Sequence, residues 1–248
     1  MAAYDRSDLL PLVRKLESIS PLTTEEEQAL AELPMQVRDL GADQDIVREG
    51  DRPSRCCLLL DGFACRYKLL DEGRRQILSF HVAGDILDLQ SLHLDVMDHS
   101  HATLTPSRVG LIPHQSLRAL TRRHPRIAEA FWRDTLIDAA VFREWMAGIG
   151  RRPAHARIAH LLCELVRRMQ AAGLADGQSV RLPLTQQQVG DALGLSFVHV
   201  NRVLQRLRGE GLITWESRVL TVEDWGGLKR AGAFDPIYLH LRRDEAAA

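Results

Sequence analysis

Residues 184–208 read LTQQQVGDALGLSFVHVNRVLQRLR, and their pattern decides the architecture of the C-terminal third. Thr185 is placed to cap a first helix, and Gln188 three positions on completes a capping box. Val189, Ala192 and Leu193 form that helix's inner stripe, and Gly190 is small where a second helix has to cross closely. Gly194 ends the first helix, since a tight turn often needs positive φ and glycine takes it without penalty. Leu195 plugs the turn and Ser196 caps the second helix. Val200, Val203, Leu204 and Leu207 are then its buried stripe, leaving Ser196, Phe197, His199, Asn201, Arg202, Gln205, Arg206 and Arg208 facing outward. Helix, four-residue turn and helix with this division is the helix-turn-helix pattern.

The outward face has the chemistry of a groove reader. Arg202 can reach guanine O6 and N7 together, and Asn201 suits a base edge or a phosphate. Gln205, Arg206 and Arg208 are placed for phosphates, as are the amides at the helix start. Thr185, Gln186, Phe197, Val198 and His199 complete the expected DNA-binding set, and no acidic residue occurs from 196 to 209. The alternative is a helical hairpin with a solvated basic face. The next stretch, GLITWESRVLTV (211–222), places apolar runs around Glu216-Ser217-Arg218, a hairpin pattern. Arg218 at its tip joins the DNA-binding set, so residues 151–230 are expected to form a winged helix-turn-helix.

Upstream, residues 126–148 carry one long helical pattern without glycine or proline before Gly148. Ile127, Ala130, Ile137 and Val141 mark one face, Trp132, Leu136, Ala139 and Met146 a neighbouring one. A helix apolar on two faces must bury both. One covers the preceding domain and the other meets the same helix of a second subunit; Ile127, Ala130, Ile137 and Val141 are assigned to the dimer contact. GIGRRP (148–153) is the expected hinge: Gly148 and Gly150 end the long helix, and Pro153 starts the next, 154–171. Before Pro113 the pattern is different. From Met35 to Ile112 short apolar runs alternate with turn residues about every 10 positions, as in an antiparallel β-sandwich or roll, with a hairpin turn at Glu72-Gly73. Residues 7–33 form a helical entry. The fold class is therefore α+β: residues 1–113 a β-roll with its helical entry, 114–150 a connecting and dimerisation helix, 151–230 the DNA-binding domain, and 231–248 a tail.

The 248 residues carry a net charge of −1, unevenly spread: residues 1–110 hold −7, 111–150 hold +2, 151–230 hold +5 and 231–248 hold −1. An acidic front and a basic back suggest that only the back meets a polyanion. No apolar run approaches the roughly 20 residues of a membrane span, and the N-terminus lacks signal-peptide character. Cys56, Cys57, Cys65 and Cys163 do not make a disulfide framework, so a cytoplasmic location is expected; Cys56-Cys57 on a strand and Cys163 on a helix are read as buried thiols rather than sensors.

The whole layout resembles the Crp/Fnr family of bacterial transcription regulators over about residues 15–228. The stretch LLLDGFACRYKLLDEGRRQILSFHVAGDILDL (58–89), including Gly73 to Asp85, and the helix-turn-helix carry it. The resemblance implies a cyclic-nucleotide-binding-like sensor domain and no enzyme activity. It also implies a homodimer on a roughly palindromic double-stranded operator, with half-sites about one helical turn apart, and RNA polymerase as a further candidate partner. An effector pocket is expected around Asp85, Leu87, Asp88, Leu89, His99 and His101. Relatives that bind cyclic nucleotides carry Gly-Glu and then Arg-Ser or Arg-Thr in this cassette; here it reads GDILDLQSLHLDVMDHSHATLTPS, with no Lys or Arg from 76 to 107. A buried cyclic phosphate would lack a cationic partner, so cyclic AMP is not expected. The clustered N-terminal cysteines of iron–sulfur relatives are missing too. No cofactor or metal is expected; haem stays open through His81, His93, His99, His101 and His114, so a haem- or redox-responsive regulator is the second reading. A cupin-like metal enzyme is a remote third, because His99-Ser100-His101 has no Glu after it before Glu129. Where relatives often carry Glu, this chain has Val198, which removes an acceptor for cytosine N4.

Overall fold

The computed structural model describes residues 6–242. Two short helices open the chain, α1 (Leu10–Glu17) and α2 (Thr24–Ala31). The second starts on a capping box between Thr23 and Glu26, a device worth about 1 kcal/mol. Seven strands follow: β1 (Gln36–Leu40), β2 (Asp45–Val47), β3 (Arg55–Asp61), β4 (Phe63–Leu69), β5 (Arg75–Val82), β6 (Ser100–Thr103) and β7 (Ser107–Pro113). They make two antiparallel sheets, ordered β1-β7-β3 and β2-β6-β4-β5. The β4–β5 hairpin turns over residues 70–74 as its Glu72-Gly73 signal implies. The expected β-roll is therefore present.

At the end of β5 the chain turns through Gly84, where φ is +95° and a Cβ would stand 2.6 Å from the backbone of Pro11. Only glycine lets α1 lie this close to the turn, and that approach brings Lys15 onto Asp85 (2.8 Å).

Helix α3 (His114–Arg123) leads into the long α4 (Pro125–Arg151). The helix runs on through Gly148 and Gly150, so these glycines do not end it. Arg152 reaches back to Glu144 and bridges the last turns, while Trp145 is buried beneath. Pro153 is what stops the helix. It forces the residue before it out of the helical region, and Arg152 sits at ψ 141°. Pro153 is the N-cap of α5 (Ala154–Ala171), not its first helical residue. The expected six-residue hinge thus shrinks to Arg152-Pro153.

The DNA-binding region holds α6 (Gln186–Leu193), α7 (Phe197–Gly209) and α8 (Trp225–Ala231). Its sheet comprises β8 (Ala175–Asp176), β9 (Ser179–Arg181), β10 (Ile213–Glu216) and β11 (Val219–Val222), ordered β10-β11-β9-β8. One apolar core runs unbroken from Phe80 and Ile77 of β5 through Trp145 of α4 into Leu162, Leu193, Val200 and Leu220. The domains are therefore packed against each other. The expected tail does not hang free either. Phe234 and Leu239 are buried, and Arg242 N donates to Ser18 O (2.7 Å) at the end of α1. Residues 243–248 of that tail lie outside the described residues.

Candidate nucleic-acid interface

The helix-turn-helix is built by its caps. Thr185 Oγ1 accepts from Gln188 N (3.1 Å) and Gln188 Oε1 accepts from Thr185 N (2.9 Å). Gly194 takes the left-handed conformation, φ +65°. A Cβ on Gly190 would stand 2.5 Å from the carbonyl oxygen of Leu195, so glycine there sets how closely the turn folds back on α6. Ser196 Oγ accepts from His199 N (3.3 Å) and starts α7. Val200, Val203, Leu204 and Leu207 are buried beneath. Phe197, Val198, His199, Arg202, Gln205 and Arg206 are exposed along one face.

The candidate contact residues divide by what already holds them. Arg202 has no hydrogen bond or ion pair among the described residues, so its guanidinium is free for a partner. Phe197 and Val198, 51% and 62% exposed, lie open at the helix start; they offer apolar contact of the kind a thymine methyl accepts. Asn201 is differently placed. Its amide donates to Gln186 Oε1 (3.0 Å), tying α7 to the start of α6. Arg206 pairs with Glu210 (2.7 Å), which also meets His155 (2.9 Å). The Arg206 hydrogen bond is the main reason that the Glu210 carboxyl is held below its usual range. Arg208 donates to Trp215 O at the wing (2.9 Å). Arg218 stands at the wing tip, where Ser217 and Arg218 have φ of +49° and +65°. Two consecutive non-glycine residues at positive φ make a type I′ turn at a cost of about 1 kcal/mol each.

Helix α6 is also held from behind by β5 and α5. Arg75 pairs with Asp191 (3.3 Å), Gln76 Nε2 donates to Ala192 O (3.1 Å), and Arg157 Nη1 donates to Leu193 O (2.7 Å). No sequence signal near 75 or 76 pointed to this, since the partners are 116 residues apart.

The expected dimer stripe is corrected. Ile127, Ala130 and Val141 are buried inside their own subunit and Ile137 packs on the same cores. The neighbouring face is the open one: Trp132 (69% exposed), Leu136, Phe142, Met146 (62%) and Ile149. Together with Ala139, the residues 132, 139 and 146 recur every seven positions, with 142 and 149 three after two of them. That is a heptad seam. The sequence showed both faces; which one the β-roll takes depends on tertiary packing.

The expected effector residues do not share one pocket. Asp85 and Leu89 line a cavity against α1, α4 and α5, whereas Asp88 lines a different cleft. Leu87 is buried in a small core with Cys57 and Val109. Asp88 accepts from Cys57 N (2.7 Å), and burial pushes its carboxyl up to about 6. His99 and His101 face each other, Nε2 to Nε2 at 3.2 Å. Burial pushes both imidazoles down, against the pull of Asp98 on His99, and so disfavours the cation that a missing arginine would have supplied. The cations that sequence reading missed come from other elements. Lys15 pairs with Asp85 and Asp134, Arg66 with Asp138 (2.6 Å), and Arg168 with Asp85 (3.2 Å). Burial opposes the Asp85 charge, but Lys15, His81 and Arg168 outweigh it and hold the carboxyl well below its usual range. All four thiols are buried, and burial pushes Cys56, Cys65 and Cys163 up to about 12. Among the described residues no group of three or more His, Cys, Asp or Glu is arranged to hold a metal ion, and no helix is long and apolar enough to cross a membrane.

Two family models match the chain. Residues 37–124 match the cyclic nucleotide-binding domain and residues 156–231 the Crp-like helix-turn-helix domain. The chain is 26% identical over 203 residues to a transcriptional activator protein, Anr, of Pseudomonas aeruginosa, covering 82% of this chain and 83% of that one. It is 28% identical over 172 residues to the nitrogen fixation regulation protein FixK of Rhizobium meliloti, covering 68% and 74%. The solved structure of FixK2 from Bradyrhizobium japonicum aligns with a TM-score of 0.72 at 26% identity, over 80% of this chain and 98% of that one.

Proposed function

Because the chain belongs to the Crp/Fnr family of transcription regulators, with a helix-turn-helix for DNA, we propose that it acts as a homodimer reading a two-fold operator. The observation that carries this reading is the pairing of two unpartnered features in one chain: the apolar heptad seam on α4 and the free Arg202 on α7. A two-fold axis along the seam gives two recognition helices, and a palindromic site mirrors that symmetry. Arg202 reads a guanine in each half-site. Phe197 and Val198 contact thymine methyls, and Arg218 with the amides at the start of α7 holds phosphates. Asn201 fixes the angle between the two helices through Gln186 before it reads any base.

Cyclic AMP is not the effector in this reading. Burial disfavours the charged form of His99 and His101, and the nearby Arg66 is already paired with Asp138. A redox-sensing thiol is disfavoured too, because a thiolate is the reactive form and every cysteine here is buried. The protein works in the cytoplasm, where its operator is.

Selection of sites from random duplex DNA tests the reading, run in parallel on the native chain and on Val198→Glu. The native logo should be palindromic, with a guanine in each half-site and no fixed cytosine opposite position 198. Val198→Glu should add that cytosine preference. A non-palindromic logo, or identical logos from both proteins, refutes the assignment.

A further inference from the structure

Two kinds of contact oppose rotation of the DNA-binding region about the Arg152-Pro153 hinge. One is the shared apolar core, which reaches from Ile77 and Phe80 into Leu193 and Val200. Apolar attraction has no preferred direction, and packed elements can slide past one another by small shears. The other is a set of hydrogen bonds, which weaken steeply as their angle opens.

These bonds meet at the last turn of α6. A helix leaves its last four carbonyls without a partner inside the helix. Here Ala192 O accepts from Gln76 Nε2 (3.1 Å) and Leu193 O from Arg157 Nη1 (2.7 Å), beside the pair of Arg75 with Asp191 (3.3 Å). Arg157 belongs to α5, and so to the DNA-binding region itself. Arg75 and Gln76 belong to β5 of the β-roll. Both are anchored on their own side. Gln76 Nε2 also donates to Ile77 O (2.9 Å), and the Arg75 guanidinium lies over the Tyr67 ring, 6.0 Å from its centre. Two consecutive side chains of β5 therefore grip two consecutive residues of α6.

What they grip is tied to the recognition helix. Only Gly194, Leu195 and Ser196 separate α6 from α7. Leu195 N donates to Gly190 O (3.0 Å) and Asn201 ties back to Gln186 (3.0 Å), so the two helices move as one body. The grip is on the C-terminal end of α6, away from the outward face of α7.

We propose that Arg75 and Gln76 are positioning residues that set the half-site spacing the protein accepts, without touching DNA. The proposal rests on the two-fold operator reading above. In that reading the recognition helices enter half-sites about 34 Å apart. One added base pair lengthens the site by about 3.4 Å and turns the far half-site by about 35°. Each copy has to take up part of that movement, which carries Ala192 O away from Gln76 and Asp191 away from Arg75. The contacts of both copies together penalise a wrong spacing by about tenfold or more.

Competition binding by anisotropy tests this on the full-length protein. The duplexes are the selected operator and versions with one base pair added or removed at its centre. The native chain should bind the altered operators at least about tenfold more weakly. Arg75→Met combined with Gln76→Leu should cut that penalty to about threefold or less, and Asp191→Ala should relax it from the other side. Arg75→Met removes a positive charge and Asp191→Ala a negative one, so a shared effect is mechanical rather than electrostatic. The slope of log K against log salt should change by less than about 1, because no phosphate contact is lost. Folded variants that keep the native spacing penalty overturn the proposal and leave the two-fold reading standing. So does a native chain that binds a two-fold operator whatever its spacing, or a slope lowered by about 2, which puts Arg75 on a phosphate in each copy. A native chain without a two-fold operator overturns the reading and the proposal with it. If the double variant fails to melt cooperatively, Asp191→Ala decides.

Discussion

Substituting Met146 by Glu is expected to split the proposed dimer without unfolding the subunit. Five large apolar side chains on the open face of α4 (Trp132, Leu136, Phe142, Met146 and Ile149) are between 40% and 69% exposed in the single chain. Full burial of such a side chain is worth about 1.5–3 kcal/mol, so burying the exposed half yields about 1 kcal/mol each, or on the order of 10 kcal/mol over both copies. Association itself costs about 4–15 kcal/mol, which leaves a dimer with little to spare. Met146→Glu removes about 2 kcal/mol of burial across the two copies. It also brings two carboxylates together on the symmetry axis, raising the loss to about 4 kcal/mol, or roughly a thousandfold in the dimer dissociation constant. Sedimentation equilibrium reads that constant directly. Ile127→Ala supplies the contrast. Ile127 is fully buried within its own subunit, so this change should cost about 2–5 kcal/mol of unfolding free energy and leave the dimer constant unchanged. If Met146→Glu stays as dimeric as the native protein, or if Ile127→Ala is the one that dissociates, the assignment of the two faces is wrong.

Arg202→Ala should weaken operator binding by about 1–3 kcal/mol for each half-site and erase the guanine preference, read by anisotropy on matched and mutated duplexes. Arg218→Gly should relieve the left-handed strain at the wing tip and stabilise the fold by about 1 kcal/mol. The same change removes one phosphate contact from each copy and should reduce the slope of log K against log salt by about 2, so a variant with an unchanged slope shows that the tip never meets a phosphate. Asp88 has a carboxyl raised to about 6 by burial, above its unfolded value of about 3.9. Its stabilising contribution is therefore complete below about pH 4 and is lost as pH rises through about 6. The stability gap between Asp88→Asn and the native chain should grow by about 2–3 kcal/mol in favour of the variant from pH 4 to pH 7.5. Urea melts at both ends of that range measure it, and a gap that does not change with pH removes the basis for the raised carboxyl.

The helix-turn-helix was legible because local chemistry and global packing agree there. Thr185, Gly194 and Ser196 each satisfy a backbone need within a few residues, and the apolar spacing of α7 matches its buried stripe. The β-roll was legible from turn residues for the same reason. What sequence could not supply were choices made by distant partners. The two faces of α4 look alike in hydrophobicity, and only the seating of the sheets and α1 decides which is covered. Gly148 and Gly150 look like helix ends, but the Trp145 side chain and the Arg152–Glu144 pair carry the helix past them. The absence of basic residues between 76 and 107 was read correctly, yet Lys15, Arg66 and Arg168 bring charge to Asp85 and its surroundings from three other elements. The division of duties on the recognition face was hidden as well, since nothing in the order of residues tells that Asn201 is tied to Gln186 while Arg202 is free.

The bond from Arg242 N to Ser18 O joins residues separated by almost the whole chain. The backbone between them makes the sensor sheets, the long helix and the reading head first. A chain still emerging from the ribosome therefore completes its domains in order while the seam between them stays unsealed, since domains generally fold as units during synthesis. The angle between sensor and reading head is set earlier, by the shared core and by Arg75 and Gln76 against α6. The last described residues add a clasp to a relation that the rest of the chain already holds, so changes near residue 242 should be felt at α1 before they are felt at the recognition helix.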